Sequence, residues 1–208
     1  MENHVLLIVI VASVLALTLV SPAASHADVS VGARIGGYGF RDAASAQTGQ
    51  TQWRACRMNG IGVFGEYKIS DALFAEVGLD GYFVDNWIEP SDANANEWAL
   101  DRTSILVTGA IGARGWRDKR ISPNVHVGVG GEFTEVTLDG WSPIKKNAVK
   151  PVVFIGIGGD LNLSKKAALG MSLRLNSMTL FAPEAQTGGL SSERDFAAQM
   201  QFWAKYRL

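Results

Sequence analysis

The chain has 208 residues, enough for one complete sheet with its core, and its 19 Lys and Arg nearly balance 20 Asp and Glu for a net charge of −1. No basic field exists to attract nucleic acid by counterion release, so that class of partner is excluded. The single cysteine, Cys56, excludes an internal disulfide and a cysteine cluster for metal, and the 19% of charged residues falls short of the roughly 25% of an average soluble domain. That deficit implies a surface that is not wet throughout.

Residues 1–27 read as an export signal. An apolar run from Val5 to Val20 is broken by Ser21-Pro22 and followed by small residues, with Ser25 and Ala27 fitting the small-x-small cleavage rule. The mature chain, 28–208, is then expected to begin near Asp28 as one domain. The amino-terminal region lacks Lys and Arg, so an uncleaved membrane anchor is the competing reading. After cleavage, the loss of Glu2 leaves 19 acidic against 19 basic residues, and His126 is the sole histidine.

Beyond Val20 no run approaches the roughly 18 to 20 apolar residues of a membrane helix. What recurs is alternation, the period of a strand with two unlike faces. The apolar parity is Val29, Val31, Ala33 and Ile35 in the first segment, then Ile61, Val63, Tyr67 and Ile69, then Leu73, Ala75, Val77, Leu79 and Phe83. It continues through Ile105, Val107, Ile111 and Ala113, through Val125, Val127, Val129 and Phe133, and through Val153, Ile155, Ile157 and Leu161. Leu169, Met171, Leu173 and Leu175 make the seventh segment, and Phe196 to Leu208 at alternate positions the eighth. The opposite parity carries Arg34, Glu66, Glu76, Asp80, Arg114, His126, Glu132, Asp160, Arg174 and Lys205 among glycines such as Gly128, Gly130, Gly156 and Gly158.

Connections alternate strictly. Short turns fall at Ser70-Asp71, Asp118 to Pro123 and Ser164 to Lys166; longer polar ones run from Asp42 to Arg54, Ile88 to Arg102, Asp139 to Ala148 and Pro183 to Arg194. The glycine runs VGVGGEF (127–133) and IGIGGDL (155–161) follow no short strand into a helix, so they lack the context of a phosphate-binding loop. They read instead as two neighbouring staves of one sheet.

Parity alone does not say which face is inside, since a sandwich or a soluble barrel with an apolar interior would also alternate. The export signal, the loop alternation and the aromatic last strand decide for a sheet in lipid. There every backbone polar group must be paired, so the sheet must close on itself. The prediction is an all-β fold, an eight-stranded antiparallel transmembrane up-and-down β-barrel, apolar outside and charged within.

The mature chain resembles the small eight-stranded outer-membrane barrels of the OmpA and OmpX type in strand count, loop alternation and its closing FWAKYRL. That strand is similar to the terminal assembly signal of such barrels through Phe202, Tyr206 and Leu208, although Leu208 stands where the family usually has Phe. The resemblance implies a monomer in the outer membrane of a Gram-negative-type envelope, termini in the periplasm and four loops outside. It also implies outer-membrane lipids and the barrel-assembly machinery as partners.

Aromatic girdles are expected from Tyr38, Phe40, Tyr82, Phe83, Trp87 and Phe181 at the loop end and from Tyr67, Phe74, Phe196 and Tyr206 at the turn end, with Tyr38 and Tyr82 on the interior parity unless a bulge reassigns them. The candidate site is an interior charge network of Arg34, Glu66, Glu76, Arg114, Glu132, Asp160, Arg174 and Lys205, read either as a plug of ion pairs or as a gated polar path. Trp53, Trp98 and Trp141 among polar loop residues are candidates for recognising an extracellular partner. His126 is expected to serve as an interior hydrogen-bonding group. No catalytic residue, metal site or cofactor is expected, because no nucleophile–base pair and no ligand spacing is present. A structural or surface-interaction role follows, with a narrow passive pore as alternative and a lipid-modifying rim enzyme as a weaker one.

Overall fold

The computed structural model describes residues 29–41, 53–88, 98–116, 119–139, 144–183 and 190–208. They form eight strands: β1 (Val29–Arg41), β2 (Trp53–Lys68), β3 (Leu73–Ile88), β4 (Trp98–Arg114), β5 (Ile121–Asp139), β6 (Ile144–Asn162), β7 (Ala167–Pro183) and β8 (Leu190–Arg207). Each pairs antiparallel with the next, and β1 with β8, so the sheet closes in chain order.

Paired residues followed once around the wall fix the geometry. Ser30 leads through Glu66, Glu76, Ala110, Gly128, Phe154, Asn176 and Ala197 to Phe40, which lies 40 − 30 = 10 residues further along the same strand. Eight strands with that stagger tilt by about 40° from the axis. The interior is then just wide enough for side chains to fill.

The apolar parity lies outside. Ile35, Ile61, Val77, Ile111, Val127, Ile155, Met171 and Phe202 are all exposed, while Arg34, Glu66, Glu132, Asp160, Arg174 and Lys205 are buried. This excludes the inverted barrel with an apolar lumen.

At the turn end, residues 69–72 and 163–166 are held alike. Ser70 Oγ accepts from the Leu73 amide at 3.1 Å, and Ser164 Oγ accepts from the Lys166 and Ala167 amides at 3.1 and 3.0 Å, the usual service of serine in a tight turn.

The loop end departs from expectation. Strands run further than the alternation suggested, so the connections contract to 42–52, 89–97, 140–143 and 184–189. Three ladders also stop early: β2–β3 at Asn59 and Phe83, β6–β7 at Phe154 and Asn176, and β8–β1 at Ala197 and Phe40. Above them the wall divides into the β1–β2 hairpin, the β3–β6 sheet and the β7–β8 hairpin. Pro151, which has no N–H to give, stands three residues past the last β6–β7 pair, outside that ladder.

Two girdle assignments change. Phe74 points inward and is buried, because its parity and not its closeness to a turn sets its side. Phe196 is exposed but sits opposite Ser177, in the loop-end half of β8. Tyr38 and Tyr82 point inward as their parity requires, and the irregularity between Tyr38 and Phe40 leaves Tyr38 inside.

Candidate functional site

The interior fills in strata. In the turn-end half, four cations from four strands meet four carboxylates. Arg34 on β1 grips Asp80 with two bonds of 2.6 Å and donates to Glu76 at 2.7 Å; Arg174 on β7 reaches the same Glu76 oxygen at 2.9 Å. Arg114 on β4 holds Glu66 at 2.7 and 2.6 Å, and Lys205 on β8 bridges Glu66 at 3.0 Å and Asp160 at 2.8 Å. Trp203 donates its indole N–H to Asp160 at 2.9 Å. Charge therefore cancels, Arg34, Arg114, Arg174 and Lys205 against Glu66, Glu76, Asp80 and Asp160. Such balance is what lets ionised groups persist out of water.

Phenylalanines separate the guanidinium groups. Arg114 lies 4.6 Å from the centre of the Phe74 ring, Arg174 4.7 Å from Phe154 and Arg34 5.3 Å from Phe64, within cation–π range. The rings fit because each lies over a glycine on the adjacent strand. Phe64 is paired with Gly32, Phe74 with Gly112, Phe154 with Gly128 and Trp203 with Gly170, and a Cβ at any of these glycines would collide with the ring opposite. The two glycine runs are thus the spaces into which neighbouring side chains lean.

His126 is fully engaged. Arg174 Nε donates to His126 Nε2 at 2.9 Å, so Nε2 must accept, and Nδ1 carries the proton given to Asn124 Oδ1 at 3.2 Å. Neither ring nitrogen is left for proton transfer.

Nearer the loops the filling turns apolar. Tyr38, Met58, Tyr82, Leu106 and Ala197 form a buried cluster, with the two tyrosine rings edge to face at 4.6 Å. Tyr82 Oη accepts from Gln199 and Gln201, and Asn176 donates to Gln199 at 3.2 Å, whereas Gln201 Oε1 is buried without a hydrogen bond among the described residues. Within the charged network lies a cavity of about 10 Å³, bordered by Glu66, Glu76, Arg114, His126 and Arg174, barely the space of one water.

Seven of the eight charged residues expected from the sequence come together here. Glu132 instead meets Arg102, with Ser104 and Thr134 donating to the same carboxylate oxygen at 3.2 and 2.6 Å. Asp80 completes the main network. Sequence reasoning placed Arg102 at the end of a loop, although its parity with Ser104 and Leu106 marks it as inward. Tyr38 and Tyr82 carried the inward parity in the sequence, whereas Met58, Phe64 and Phe154 were not singled out, since apolar residues were assigned to the outer face.

Of the candidate recognition residues, Trp53 opens β2 opposite Arg41 and Trp98 opens β4 opposite Ile88, so both belong to strand ends and not to loops. Their side chains, that of Cys56, and the whole of Trp141 lie outside the described residues. Phe202 and Tyr206 are exposed on β8, paired with Ile35 and Val31, and Leu208 donates its amide to Val29 at 2.9 Å.

Solved structures share this architecture. Neisserial surface protein A matches with a TM-score of 0.57 at 11% identity, over 88% of this chain and all of that one (100%). A major outer membrane protein from Thermus thermophilus matches at 0.56 and 12% identity, over 88% and 100% of the two chains. Ail, the attachment invasion locus protein of Yersinia pestis, matches at 0.51 and 12%, over 88% and 97%. At such identities the likeness speaks for the fold alone. No curated protein matches the chain by sequence. The family model of the outer membrane protein beta-barrel domain matches residues 8–199, and the chain belongs to that family, a barrel of the bacterial outer membrane.

Proposed function

We propose that this protein is a plugged barrel whose role is structural or interactive, exerted at the loop end toward the outside of the cell. The observation that carries this reading is the interior. Four cations are matched by four carboxylates, an apolar stratum of Tyr38, Met58, Tyr82 and Leu106 lies above them, and the cavity among the charged groups measures only about 10 Å³. Eight-stranded barrels are generally filled in this way.

In this reading residues 1–27 are removed on export, both termini face the periplasm, and β8 with Phe202, Tyr206 and Leu208 presents the chain to the assembly machinery. The protein works as a monomer among outer-membrane lipids. The connections 42–52, 89–97, 140–143 and 184–189, with Trp53, Trp98 and Trp141 at or in them, offer the surface for an extracellular partner. A surface role agrees with the name of Ail, a relative in fold seen in complex with the heparin analogue sucrose octasulfate.

A narrow pore is the second reading, favoured by one observation. Arg114 borders both the small inner cavity and the wide recess at the turn end, so rearrangement of its pairs would join them. A rim enzyme has no support from His126, whose nitrogens are both engaged.

Planar-bilayer recording separates the first two. The plugged barrel is electrically silent, whereas reproducible conductance steps abolished by Arg114→Ala or Glu132→Ala establish the pore. Replacing the four loop-end connections with short turns should leave folding intact and remove adhesion to surfaces or cells. Unchanged adhesion sinks the interactive role.

A further inference from the structure

The turn-end mouth holds a feature that neither plug nor pore explains. A recess of about 780 Å³ opens there, bordered by six cations, Lys68, Arg114, Lys119, Arg120, Lys165 and Arg207, and by one carboxylate, Asp71. Ligand-binding clefts commonly measure about 300–1,000 Å³. Two of the six are compensated, Lys68 by Asp71 at 2.8 Å and Arg114 by Glu66 at 2.6 Å. Lys119, Arg120, Lys165 and Arg207 pair with no carboxylate among the described residues. Arg117 and Asp118 beside them lie outside those residues, and their charges cancel.

Arg207 is also held in place. Its guanidinium donates to Asn162 Oδ1 at 2.6 Å and to the Lys165 carbonyl at 3.2 Å, both neutral acceptors that orient the fork without cancelling its charge. Asn162 in turn donates to the Lys119 carbonyl at 2.7 Å, tying the β4–β5 turn, the end of β6 and the end of β8 into one rim. At the floor, Arg114 Nε lies 3.1 Å from Asp160 Oδ2, so this guanidinium is spent on the interior and the free charge belongs to the rim. Among the described residues the interior neutralises itself, while the mouth keeps an excess of positive charge.

From this concave ring we infer that the turn-end recess is a binding site for a phosphate-bearing anion. Two guanidinium forks and two ammonium groups around one cavity suit tetrahedral phosphate oxygens, which guanidinium takes in pairs and ammonium as single contacts. The group could arrive as free phosphate or as the headgroup of an anionic phospholipid at the membrane face. The inference adds to the plug reading and does not depend on it.

The test uses the full chain folded in nanodiscs. In zwitterionic discs, inorganic pyrophosphate is titrated by calorimetry; in discs containing phosphatidylglycerol, retained lipid is counted by native mass spectrometry. One saturable site is expected in at least one arm, weakened about tenfold in the Arg120→Gln/Lys165→Gln double variant and unchanged in Lys145→Gln/Lys150→Gln at the other end. Heat-modifiable gel mobility verifies that each variant is folded. Pyrophosphate binding assigns a free phosphate, and lipid retention alone assigns a headgroup. Silence in both arms, equal loss in the loop-end control, no loss in the double variant, or equally tight binding of citrate overturns the assignment.

Discussion

Glu66→Gln isolates the energetics of the interior. Glu66 accepts two bonds from Arg114, at 2.7 and 2.6 Å, and one from Lys205 at 3.0 Å, with its side chain only 6% exposed. Glutamine keeps the volume but removes the charge, leaving four cations facing Glu76, Asp80 and Asp160. A buried charge stripped of its partner costs about 3–5 kcal/mol, and that loss is expected in urea unfolding of the barrel in lipid vesicles, followed by Trp fluorescence and gel mobility. Adding Arg114→Gln restores three cations against three carboxylates and should return roughly 2 kcal/mol. Lys68→Gln, which breaks an exposed pair with Asp71, calibrates the scale at under about 1 kcal/mol. If Glu66→Gln falls within that surface range, or if Arg114→Gln deepens the loss, charge balance does not hold the interior together.

Gly128→Ala sets a Cβ against the Phe154 ring and should destabilise by about 1–3 kcal/mol in the same unfolding assay, whereas Gly109→Ala, with nothing within 4 Å, should stay within about 0.5 kcal/mol. Val127→Arg on the outer face should cost about 2–4 kcal/mol in vesicles, and a neutral result would mean that this face does not meet lipid. Tyr82→Phe leaves Gln199 and Gln201 without their acceptor and should lower stability by about 1–3 kcal/mol; an unchanged urea midpoint would show that the upper stratum is not held by that hydroxyl.

The side on which each residue lies was legible because a strand has a period of two, and one parity error would have moved a whole segment. Partners were not legible. Arg174 meets Glu76 across 98 positions only because the wall staggers by ten residues, a property of closure that no single segment encodes. Glu132 was therefore assigned to the wrong neighbours, and Arg102 was cut off because strand ends follow pairing and not composition. Phe74 was misplaced when nearness to a turn was allowed to outweigh its parity.

The ion pairs also impose an order of events on assembly. Their eight members come from seven strands, and Lys205 and Glu66 are 139 positions apart, so the network cannot be made piecemeal from neighbouring hairpins. A half-built sheet would have to carry bare guanidinium and carboxylate groups toward hydrocarbon, which is costly for each of them. Insertion and closure are thereby fused into one late step of high contact order. Such a chain inserts slowly on its own, and its rate should respond more to a catalyst of closure than to any change in the stability of a single hairpin.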